Sequence, residues 1–454
     1  MSKTIAAIAT PRAAGGISVV RISGDDAIAV AEKVFRPVSA KKLSQQAGYT
    51  AAFGDIFDQK QQIDQGVALI FRAPKSYTGE DVVEISCHGG ILVTEKVLRA
   101  VLHQGASPAG PGEFTKRAFL NGKLTLTQAE AVTDLINAES EKGLRAAQSA
   151  LKGALYQKIK KVLDDLLIVT AHIGAYIDYP DEDIDDVQIT QIEKVCEGCR
   201  ESLQKLIDTF DRGKIIREGV ETVIVGRPNV GKSTLMNLLS GCQKSIVTDI
   251  PGTTRDVVEE LVNIGDVVLR LADTAGVRDT EDIIEKAGVE RTFDRLESAD
   301  LVLAVFDSSS PLSDTDYDLI ERIRNVPAVA IINKSDLETN IDKKYLYDNF
   351  KHIVEISAAA GTGIDELNQQ ISAVLRLNDT IISGAMLANE RQYHCVLQAE
   401  KHLMEAQEAI QMGFTMDAVD INIESAISVL LELTGEKVTD AVVNEVFSHF
   451  CVGK

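Results

Sequence analysis

The sequence lacks the long apolar runs of secreted and membrane-spanning chains. Its first 20 residues, MSKTIAAIATPRAAGGISVV, contain only short apolar stretches, broken by Pro11, Arg12 and paired glycines. They contain neither a basic segment leading into a continuous apolar core nor an apolar span of about 20 residues. We therefore expect a cytoplasmic protein without a membrane segment.

Cysteine is also scarce. The six cysteines lie at positions 87, 196, 199, 242, 395 and 451, too sparse for a disulfide framework in a chain of 454 residues. Cys196 and Cys199 form a C-x-x-C pair in a charged, helix-like stretch, but a structural zinc site needs four ligands and no second pair lies nearby. We expect reduced cysteines without metal or redox chemistry.

Positive charge is in the minority, because 47 Lys and Arg residues face 68 Asp and Glu residues, a net charge of −21. Such a field repels nucleic acid, so any RNA contact must be local or shared with another protein. The acidic run DYPDEDIDD over residues 178–186 lacks the ligand spacing and glycine of a calcium loop. We interpret it as a solvated turn between helices.

Three kinds of pattern follow one another along the chain. Short β-like runs such as ISVVRIS and DVVEIS alternate with turns, then long helical periodicity begins near Thr125, and later short strands alternate with helices. The sequence therefore predicts a multi-domain α/β and α+β protein. An N-terminal α+β domain covers 1–120, a discontinuous helical bundle covers 121–215 and 378–454, and a doubly wound P-loop domain is inserted over 216–377.

A phosphate-binding loop opens the inserted domain. Gly226-Arg-Pro-Asn-Val-Gly231-Lys232-Ser233 directly follows a β-branched run and directly precedes a helix that ends near Gly241. Backbone N–H groups of such a loop face the phosphates, Lys232 reaches the β and γ phosphates, and the Ser233 hydroxyl binds Mg²⁺. An ATPase shows the same loop, so the other motifs decide the nucleotide.

Two later motifs favour GTP. Asp273 ends the strand-like run VVLRLAD, where its carboxylate can organise the magnesium shell, and the Gly276 N–H can meet the γ-phosphate. Asn333-Lys334-Ser335-Asp336 follows the run AVAII. Asp336 can accept hydrogen bonds from N1 and N2 of guanine, which adenine cannot offer. The sequence therefore predicts a GTPase.

Two more loops complete the motif set. Ser357-Ala358-Ala359 follows HIVEI, where GTPases have a third base-contacting loop, although the usual Lys or Arg after Ser-Ala is absent. Gly252-Thr253-Thr254-Arg255-Asp256 is the predicted switch segment, whose Thr254 closes on Mg²⁺ when the γ-phosphate is present.

The expected catalytic glutamine is missing. Ras-like proteins orient the attacking water with a glutamine after the Asp-x-x-Gly motif, but Val277 stands there, and its side chain cannot hydrogen-bond water. Another group must do this work. The following stretch, VRDTEDIIEKAG, offers several acids, and Arg227 and Arg255 remain open as internal arginine fingers.

The chain resembles the MnmE (TrmE) family over essentially its whole length. The resemblance rests on the motifs GRPNVGKST, IVTDIPGTTRD, DTAGVRDTEDIIEKAG and NKSD, with FLNGK and QAEA before them and CVGK at the end. This family comprises tRNA modification GTPases. The resemblance implies a potassium ion in place of an arginine finger, bound by Asn229, Thr248, Ile250 and Thr253. It also implies a catalytic glutamate at Glu285.

Three other acids, Asp279, Glu281 and Asp282, are local rivals of Glu285. The motif positions and the resemblance together define the nucleotide site. The predicted GTP-binding residues are Asn229, Val230, Gly231, Lys232, Ser233, Thr234, Thr248, Asp249, Ile250, Pro251, Gly252, Thr253, Thr254, Asp273, Thr274, Ala275, Gly276, Asn333, Lys334, Asp336, Ser357, Ala358 and Ala359. Ser233 and Thr254 are the predicted magnesium ligands.

The resemblance further implies that the N-terminal domain binds 5-formyltetrahydrofolate or a related folate and forms a homodimer. The matching positions are Arg21, Glu84, Lys123 and Lys454. A carboxylate can pair with the pterin amide edge, and cations suit the glutamyl tail. A nucleophilic role of Cys451 remains open against a packing role.

The implied function is potassium-dependent, dimerisation-coupled GTP hydrolysis that drives 5-carboxymethylaminomethyl modification of the wobble uridine of certain tRNAs. The implied partner is the FAD-dependent protein MnmG (GidA), in a heterotetramer or larger complex. The alternative is a regulatory GTPase switch in ribosome assembly. That function calls for a basic RNA-binding module, and none is visible in the sequence.

Overall fold

The computed structural model describes residues 3–39, 41–178, 186–242, 260–265, 267–271, 299–375 and 384–454. The chain divides into two compact units. The first comprises Met1–Thr133, Leu151–Glu197 and Lys401–Lys454, and the second comprises Asp134–Ala150 and Gly198–Glu400. Within the described residues, no helix has the length and apolar character that a membrane span requires. The three-domain boundaries predicted above fall at other positions and stay a prediction.

The first unit contains a largely antiparallel sheet, which in the described residues has the strand order β3-β4-β5-β6-β2-β1-β7. Its strands are β1 (Ile5–Ile8), β2 (Ile17–Ser23), β3 (Phe35–Pro37), β4 (Thr50–Asp58), β5 (Gln61–Phe71), β6 (Val82–His88) and β7 (Ser107–Pro108). Only the pairing of β1 with β7 is parallel among these. One face of the sheet packs on helices α1 (Ala27–Val34) and α2 (Ile91–His103) in an apolar core that includes Val20, Ile22, Ile85 and Val97.

The described residues cover the opposite face of this sheet only in part. Side chains alternate along each strand, so Arg21 on β2 and its partner Glu84 on β6 point away from the helix-covered core. Phe114 of α3 (Glu113–Leu120) covers the β1 end of this face together with Ile5, Ala7 and Ala109. Toward β4 the face is open, and Phe53 is 55% exposed.

Helices account for most of the rest of the first unit. Helices α6 (Ala154–Asp178), α14 (Met416–Thr434) and α15 (Asp440–Ser448) lie wholly in this unit, and α6 and α14 pack on each other. Leu126 and Ala129 of α4 (Leu126–Ile136) pack against Val443, Phe447 and Phe450, and this apolar cluster anchors the C-terminal segment. Helix α8 (Phe210–Glu218) belongs to the second unit, and the unit boundaries fall within α4, α5 (Glu141–Leu151), α7 (Asp186–Ile207) and α13 (Glu390–Gln411).

The second unit contains a mostly parallel sheet, with the order β13-β12-β11-β8-β10-β9 among its described strands. These are β8 (Val220–Val225), β9 (Glu260–Ile264), β10 (Val267–Leu271), β11 (Leu301–Asp307), β12 (Ala328–Asn333) and β13 (Ile353–Glu355). Only β9 runs antiparallel to its neighbour. The central strands are buried almost throughout, as expected for a parallel sheet covered on both faces.

Helices cover both faces of this sheet and form two apolar cores. Leu235 of α9 (Lys232–Cys242) and Leu367 of α12 (Ile364–Val374) pack on one face. Leu319 of α10 (Asp314–Arg322) and Leu346 of α11 (Lys343–Asn349) pack on the other. The predicted mixed fold, with an N-terminal α+β part, long helices and a doubly wound sheet, is confirmed.

Candidate functional site

The predicted phosphate loop joins β8 to α9, and α9 begins at Lys232. Two glycines shape it. Gly226 has φ +148°, and a Cβ there would lie 2.3 Å from the Val305 carbonyl oxygen. Gly231 has φ +98°, and its Cβ would lie 2.3 Å from Asn333 Nδ2. Only glycine fits these positive φ values and close approaches, so the loop keeps backbone N–H groups free to face a phosphate.

Lys232 lies inside this loop. Its Nζ donates to the carbonyl oxygens of Gly226 at 2.6 Å and Arg227 at 2.9 Å. Burial lowers the pKa of Lys232, because removal from water disfavours the charged ammonium. A bound phosphate would restore the preference for the charged form. Ser233 is exposed in the first turn of α9, where its hydroxyl can reach a metal ion.

The predicted base-binding loops meet at the carboxyl ends of β12 and β13. Asn333 is buried; its Nδ2 donates to the Val230 carbonyl at 2.8 Å, and its Oδ1 accepts from the Ala358 N–H at 2.9 Å. The Ser357 hydroxyl donates to Asp336 Oδ1 at 2.5 Å. The Asn333 side chain thus joins three loops. Ser357 orients the Asp336 carboxylate, which would bind guanine.

Lys334 connects this loop to the phosphate loop. Its Nζ donates to the Asn229 carbonyl at 2.9 Å and forms an ion pair with Asp307 Oδ2 at 2.7 Å. Burial alone would raise the pKa of Asp307, but hydrogen bonds from Lys334 and Ser309 outweigh it, so the pKa lies below its usual range. Sequence reasoning missed Asp307. Its signal was its position as the last residue of β11, at the sheet edge where the other loops begin.

Arg227 of the phosphate loop is committed elsewhere. Its Nε lies 3.6 Å from Asp316 Oδ2, and its guanidinium also donates to the Ser310 hydroxyl. Asp316 is 2% exposed and accepts from the Ser313 N–H at the start of α10. A buried carboxylate left without its cation is costly, so this contact argues against Arg227 as an arginine finger.

The switch segments and the catalytic stretch lie outside the described residues. This applies to the predicted GTP, Mg²⁺ and K⁺ positions in both switch loops, to the glutamate and its rivals, and to the second candidate arginine. They are Thr248, Asp249, Ile250, Pro251, Gly252, Thr253, Thr254, Arg255, Asp273, Thr274, Ala275, Gly276, Val277, Asp279, Glu281, Asp282 and Glu285.

A second group of charged side chains lies on the open face of the N-terminal sheet. Arg21 and Glu84 are opposite each other on β2 and β6, and Arg21 Nε donates to Glu84 Oε1 at 2.8 Å. The Arg21 guanidinium lies 5.7 Å from the Tyr77 ring centre and 5.5 Å from that of Phe114. These distances are in the range of cation–π contacts, so two rings and one carboxylate fix the arginine.

The C-terminal segment joins this cluster. Arg21 Nη1 donates to the Gly453 carbonyl at 3.3 Å, and the Phe114 N–H donates to the Lys454 carbonyl at 3.2 Å. Gly453 has φ +102°, and a Cβ there would lie 2.2 Å from the Ile8 carbonyl oxygen, so glycine is required. The pKa of Lys454 is lowered by burial and then by Arg21, although Glu84 opposes the shift. The structure thus brings Arg21, Glu84 and Lys454 together.

Lys123 contacts the loop that carries Tyr77. Its Nζ donates to the Pro74 carbonyl at 3.2 Å, and the Tyr77 hydroxyl shares a hydrogen bond with Thr115 Oγ1 at 2.9 Å. Burial raises the pKa of Tyr77, which keeps the phenol neutral. Sequence reasoning missed Tyr77 and Phe114, because no local pattern links either residue to Arg21.

The other singled-out residues divide by exposure. Cys451 is exposed, two residues before Gly453. His88, a histidine between a cysteine and two glycines that the sequence offers as a possible acid–base group or as part of a turn, is also exposed, and its Nδ1 lies 2.7 Å from Asp64 Oδ1. Cys196 and Cys199 are buried, and burial raises the pKa of Cys196 to about 11, so its thiol stays protonated at neutral pH. Within the part of the chain that the structure describes, no group of three or more potential ligands could hold a metal ion.

Comparison with known proteins covers the whole chain. Residues 126–451 match the family model described as the MnmE helical domain, and residues 4–123 match the GTP-binding protein TrmE N-terminus. The tRNA modification GTPase MnmE of Thermoanaerobacter pseudethanolicus is 41% identical over 456 residues, 99% of each chain. That of Desulforamulus reducens is 42% identical over 460 residues, 100% of each chain.

Among solved structures, the G domain of the T. maritima FeoB iron transporter is 27% identical and covers 34% of this chain and 98% of its own. Its TM-score of 0.26 supports no structural argument, so the assignment rests on the family models and the full-length relatives. The chain therefore belongs to the MnmE family of tRNA modification GTPases, and it is a GTP hydrolase that acts in tRNA modification.

Proposed function

We propose that this GTP hydrolase is potassium dependent and that, in the cytoplasm, it works with the FAD-dependent protein MnmG. Together they install the 5-carboxymethylaminomethyl group on the wobble uridine of certain tRNAs, with a tetrahydrofolate as one-carbon donor. The observation that carries the proposal is the cluster of Arg21, Glu84 and Lys454, because a GTPase that serves only as a switch has no need of a second charged site.

The nucleotide site fits GTP with Mg²⁺. Lys232 and the glycine-shaped loop offer donors to the phosphates, and the exposed Ser233 hydroxyl, with Thr254, would bind the metal. Asp336 would accept from the guanine N1 and N2 donors, in the orientation that Ser357 gives it. Bound Mg²⁺ neutralises phosphate charge.

The surroundings of Asn229 fit a monovalent cation. This residue is exposed and has φ +64°, and its carbonyl oxygen accepts from Lys334. Its side chain makes no hydrogen bond to any residue in the described ranges, so the amide oxygen can serve as a ligand. Thr248, Ile250 and Thr253 would supply the other ligands. A potassium ion held by these residues would supply positive charge that stabilises the charge developing on the phosphates.

Water activation calls for a group other than the residue after the Asp-x-x-Gly motif. The Val277 side chain cannot accept or donate a hydrogen bond, and Asp316 holds Arg227. We assign the role to Glu285, which would orient the nucleophile through a second water.

The N-terminal cluster fits a folate. Glu84 can accept from the pterin amide edge, and the cations of Arg21, Lys123 and Lys454 suit the glutamyl carboxylates. Arg21 is fixed before any ligand arrives, because Glu84 and the Tyr77 and Phe114 rings already hold it. Such preorganisation reduces the entropy that binding costs.

The open sheet face supports a homodimer through the N-terminal domain. Val19, Val67 and Phe53 lie in one cross-strand row on the same side as Arg21, with Ser86 between Val19 and Val67, and Ile17, 68% exposed, is two residues from Val19 on β2. Exposed apolar side chains grouped on one face mark a candidate interaction surface. A second copy would cover the row and the edge of the folate cluster.

Potassium dependence is tested by the rate of GTP hydrolysis in potassium or sodium chloride at equal ionic strength. We expect hydrolysis at least about tenfold faster in potassium, because stabilisation of developing transition-state charge is worth that much or more. Asn229→Ala should remove most of the difference in hydrolysis rate between potassium and sodium and leave GTP binding mostly intact. Equal rates in potassium, sodium and lithium would show that no alkali metal takes part.

The modification reaction is tested by nucleoside analysis of tRNA from cells that lack the protein. Loss of the 5-carboxymethylaminomethyl group at the wobble uridine is expected. Unchanged wobble uridines would favour the alternative, a regulatory GTPase switch in ribosome assembly.

A further inference from the structure

The ion pair between Asp307 and Lys334 lies between the two halves of the nucleotide site. Asp307 ends β11, and Lys334 comes directly after β12, whose last residue Asn333 is opposite Asp307 in the sheet. Asp307 Oδ2 lies 2.7 Å from Lys334 Nζ, and both side chains are mostly buried. Hydrogen-bonded ion pairs of restricted exposure bind more strongly than exposed surface pairs.

The same ammonium group reaches the phosphate loop, because Lys334 Nζ donates to the Asn229 carbonyl at 2.9 Å. Asn229 and Lys334 both have left-handed backbone conformations, with φ of +64° and +63°. Non-glycine residues keep this conformation where neighbouring groups hold them. The hydrogen bond joins two strained positions, one in each loop.

Asp307 is itself held in place. Its second carboxylate oxygen, Oδ1, accepts from the Ser309 N–H at 2.9 Å and from the Ser309 hydroxyl at 2.7 Å. One oxygen is therefore fixed by its own loop, and the other is free to fix Lys334. This leaves the carboxylate little freedom to follow the lysine if the loops separate.

We propose that Asp307 is a positioning residue that slows the release of guanine nucleotide. It holds Lys334 Nζ on the Asn229 carbonyl and so ties the guanine-binding loop to the phosphate loop. A nucleotide held at both ends rebinds at one end while the other stays bound, and this advantage is lost when the loops move independently. The proposal rests on the nucleotide site described under the proposed function.

The first test is the dissociation rate of a fluorescent GDP from the full-length protein, chased with excess GDP in a stopped-flow instrument. Asp307→Asn keeps the shape but removes the charge, and should release GDP about tenfold faster, the effect expected for a charge-assisted hydrogen bond. Asp318→Asn is the matched control, because it removes the same charge from an exposed position on α10. A wild-type release rate in folded Asp307→Asn would overturn the proposal.

The second test is a double-mutant cycle with Lys334→Met. If Asp307 acts through Lys334, the double variant releases GDP no faster than Lys334→Met alone. If the two substitutions increase the GDP release rate independently, so that their factors multiply in the double variant, the proposal is overturned, because Asp307 then has a separate, merely structural role. If Lys334→Met itself releases GDP at the wild-type rate, the assignment of the nucleotide site fails as well.

A third variant keeps the proposal testable if Asp307→Asn does not fold. Asp307→Glu retains the charge but is one methylene longer, so the ammonium is displaced from the Asn229 carbonyl. GDP release should be about threefold faster, with thermal unfolding close to that of the wild type. Unchanged release in folded Asp307→Glu, with Asp307→Asn unfolded, would equally overturn the proposal.

Discussion

The two charged sites are built in different ways. In the second unit, short sequence motifs follow successive parallel strands, whose carboxyl ends lie at one edge of the sheet. In the first unit, Arg21 and Glu84 project from the face of an antiparallel sheet, and Arg21 contacts Gly453, 432 positions away in sequence. A site on strand ends can be recognised from motifs, whereas a site on a sheet face depends on register.

The side chains also do different work. In the nucleotide site, Asn333, Lys334 and Asp307 bind other loops, and Lys232 Nζ donates to the Gly226 carbonyl of its own loop. In the N-terminal cluster, the charged groups are the ones we propose to contact the ligand directly. We therefore expect substitutions in the nucleotide site to act through loop geometry. Substitutions in the N-terminal cluster should act directly on the ligand, and their effect should depend on pH.

The largest expected effect separates the two sites completely. Asp336→Asn should weaken GTP binding roughly 1,000-fold or more, because two charge-assisted hydrogen bonds to guanine are lost and an amide group faces its donors. Xanthosine triphosphate, with an acceptor at position 2, should bind better to the variant than GTP does. Calorimetry with each nucleotide measures this, and folate binding should be unchanged. Undiminished GTP affinity would refute the base-site assignment.

Glu84→Gln should produce a smaller effect in the other site. Loss of the carboxylate unpairs Arg21 and removes a pterin acceptor, so 5-formyltetrahydrofolate should bind about 10 to 100 times more weakly. GTP hydrolysis should stay at the wild-type rate. Glu95→Gln is the matched control on exposed α2 surface of the same unit. Equal folate affinity in Glu84→Gln and the control would remove the folate site from this cluster.

The smallest expected effect is a pH dependence of folate affinity that Lys454 sets in the N-terminal site. The lowered pKa of Lys454 means that its positive charge is present below that pKa and disappears as pH rises through it, earlier than in an exposed lysine. Folate affinity should then fall about threefold as the attraction to the glutamyl carboxylates is lost. Lys454→Arg should remove the fall, because arginine keeps its charge. If folate affinity has the same pH profile in Lys454→Arg as in the wild type, another group titrates.

Much of the nucleotide site was predictable because its chemistry is local. Gly226, Gly231 and Lys232 act within one loop between a strand and a helix, and Asn333 to Asp336 act within another. Asp307 could not be assigned, since an aspartate that ends a strand has no function until the neighbouring loop brings Lys334 to it. Arg227 stayed open for the same reason, until its contact with Asp316 was visible.

The sequence by itself determined the class of the protein: alternating strands and helices around a phosphate loop, a guanine-reading aspartate, and long helices on either side. These features follow from periodicity and from motifs whose residues are neighbours in the chain. Only the tertiary structure decided which distant side chains meet, such as Arg21 with Tyr77, Phe114 and Gly453. Strand register and the packing of the C-terminal segment set those contacts, and both depend on the whole fold rather than on any local run of residues.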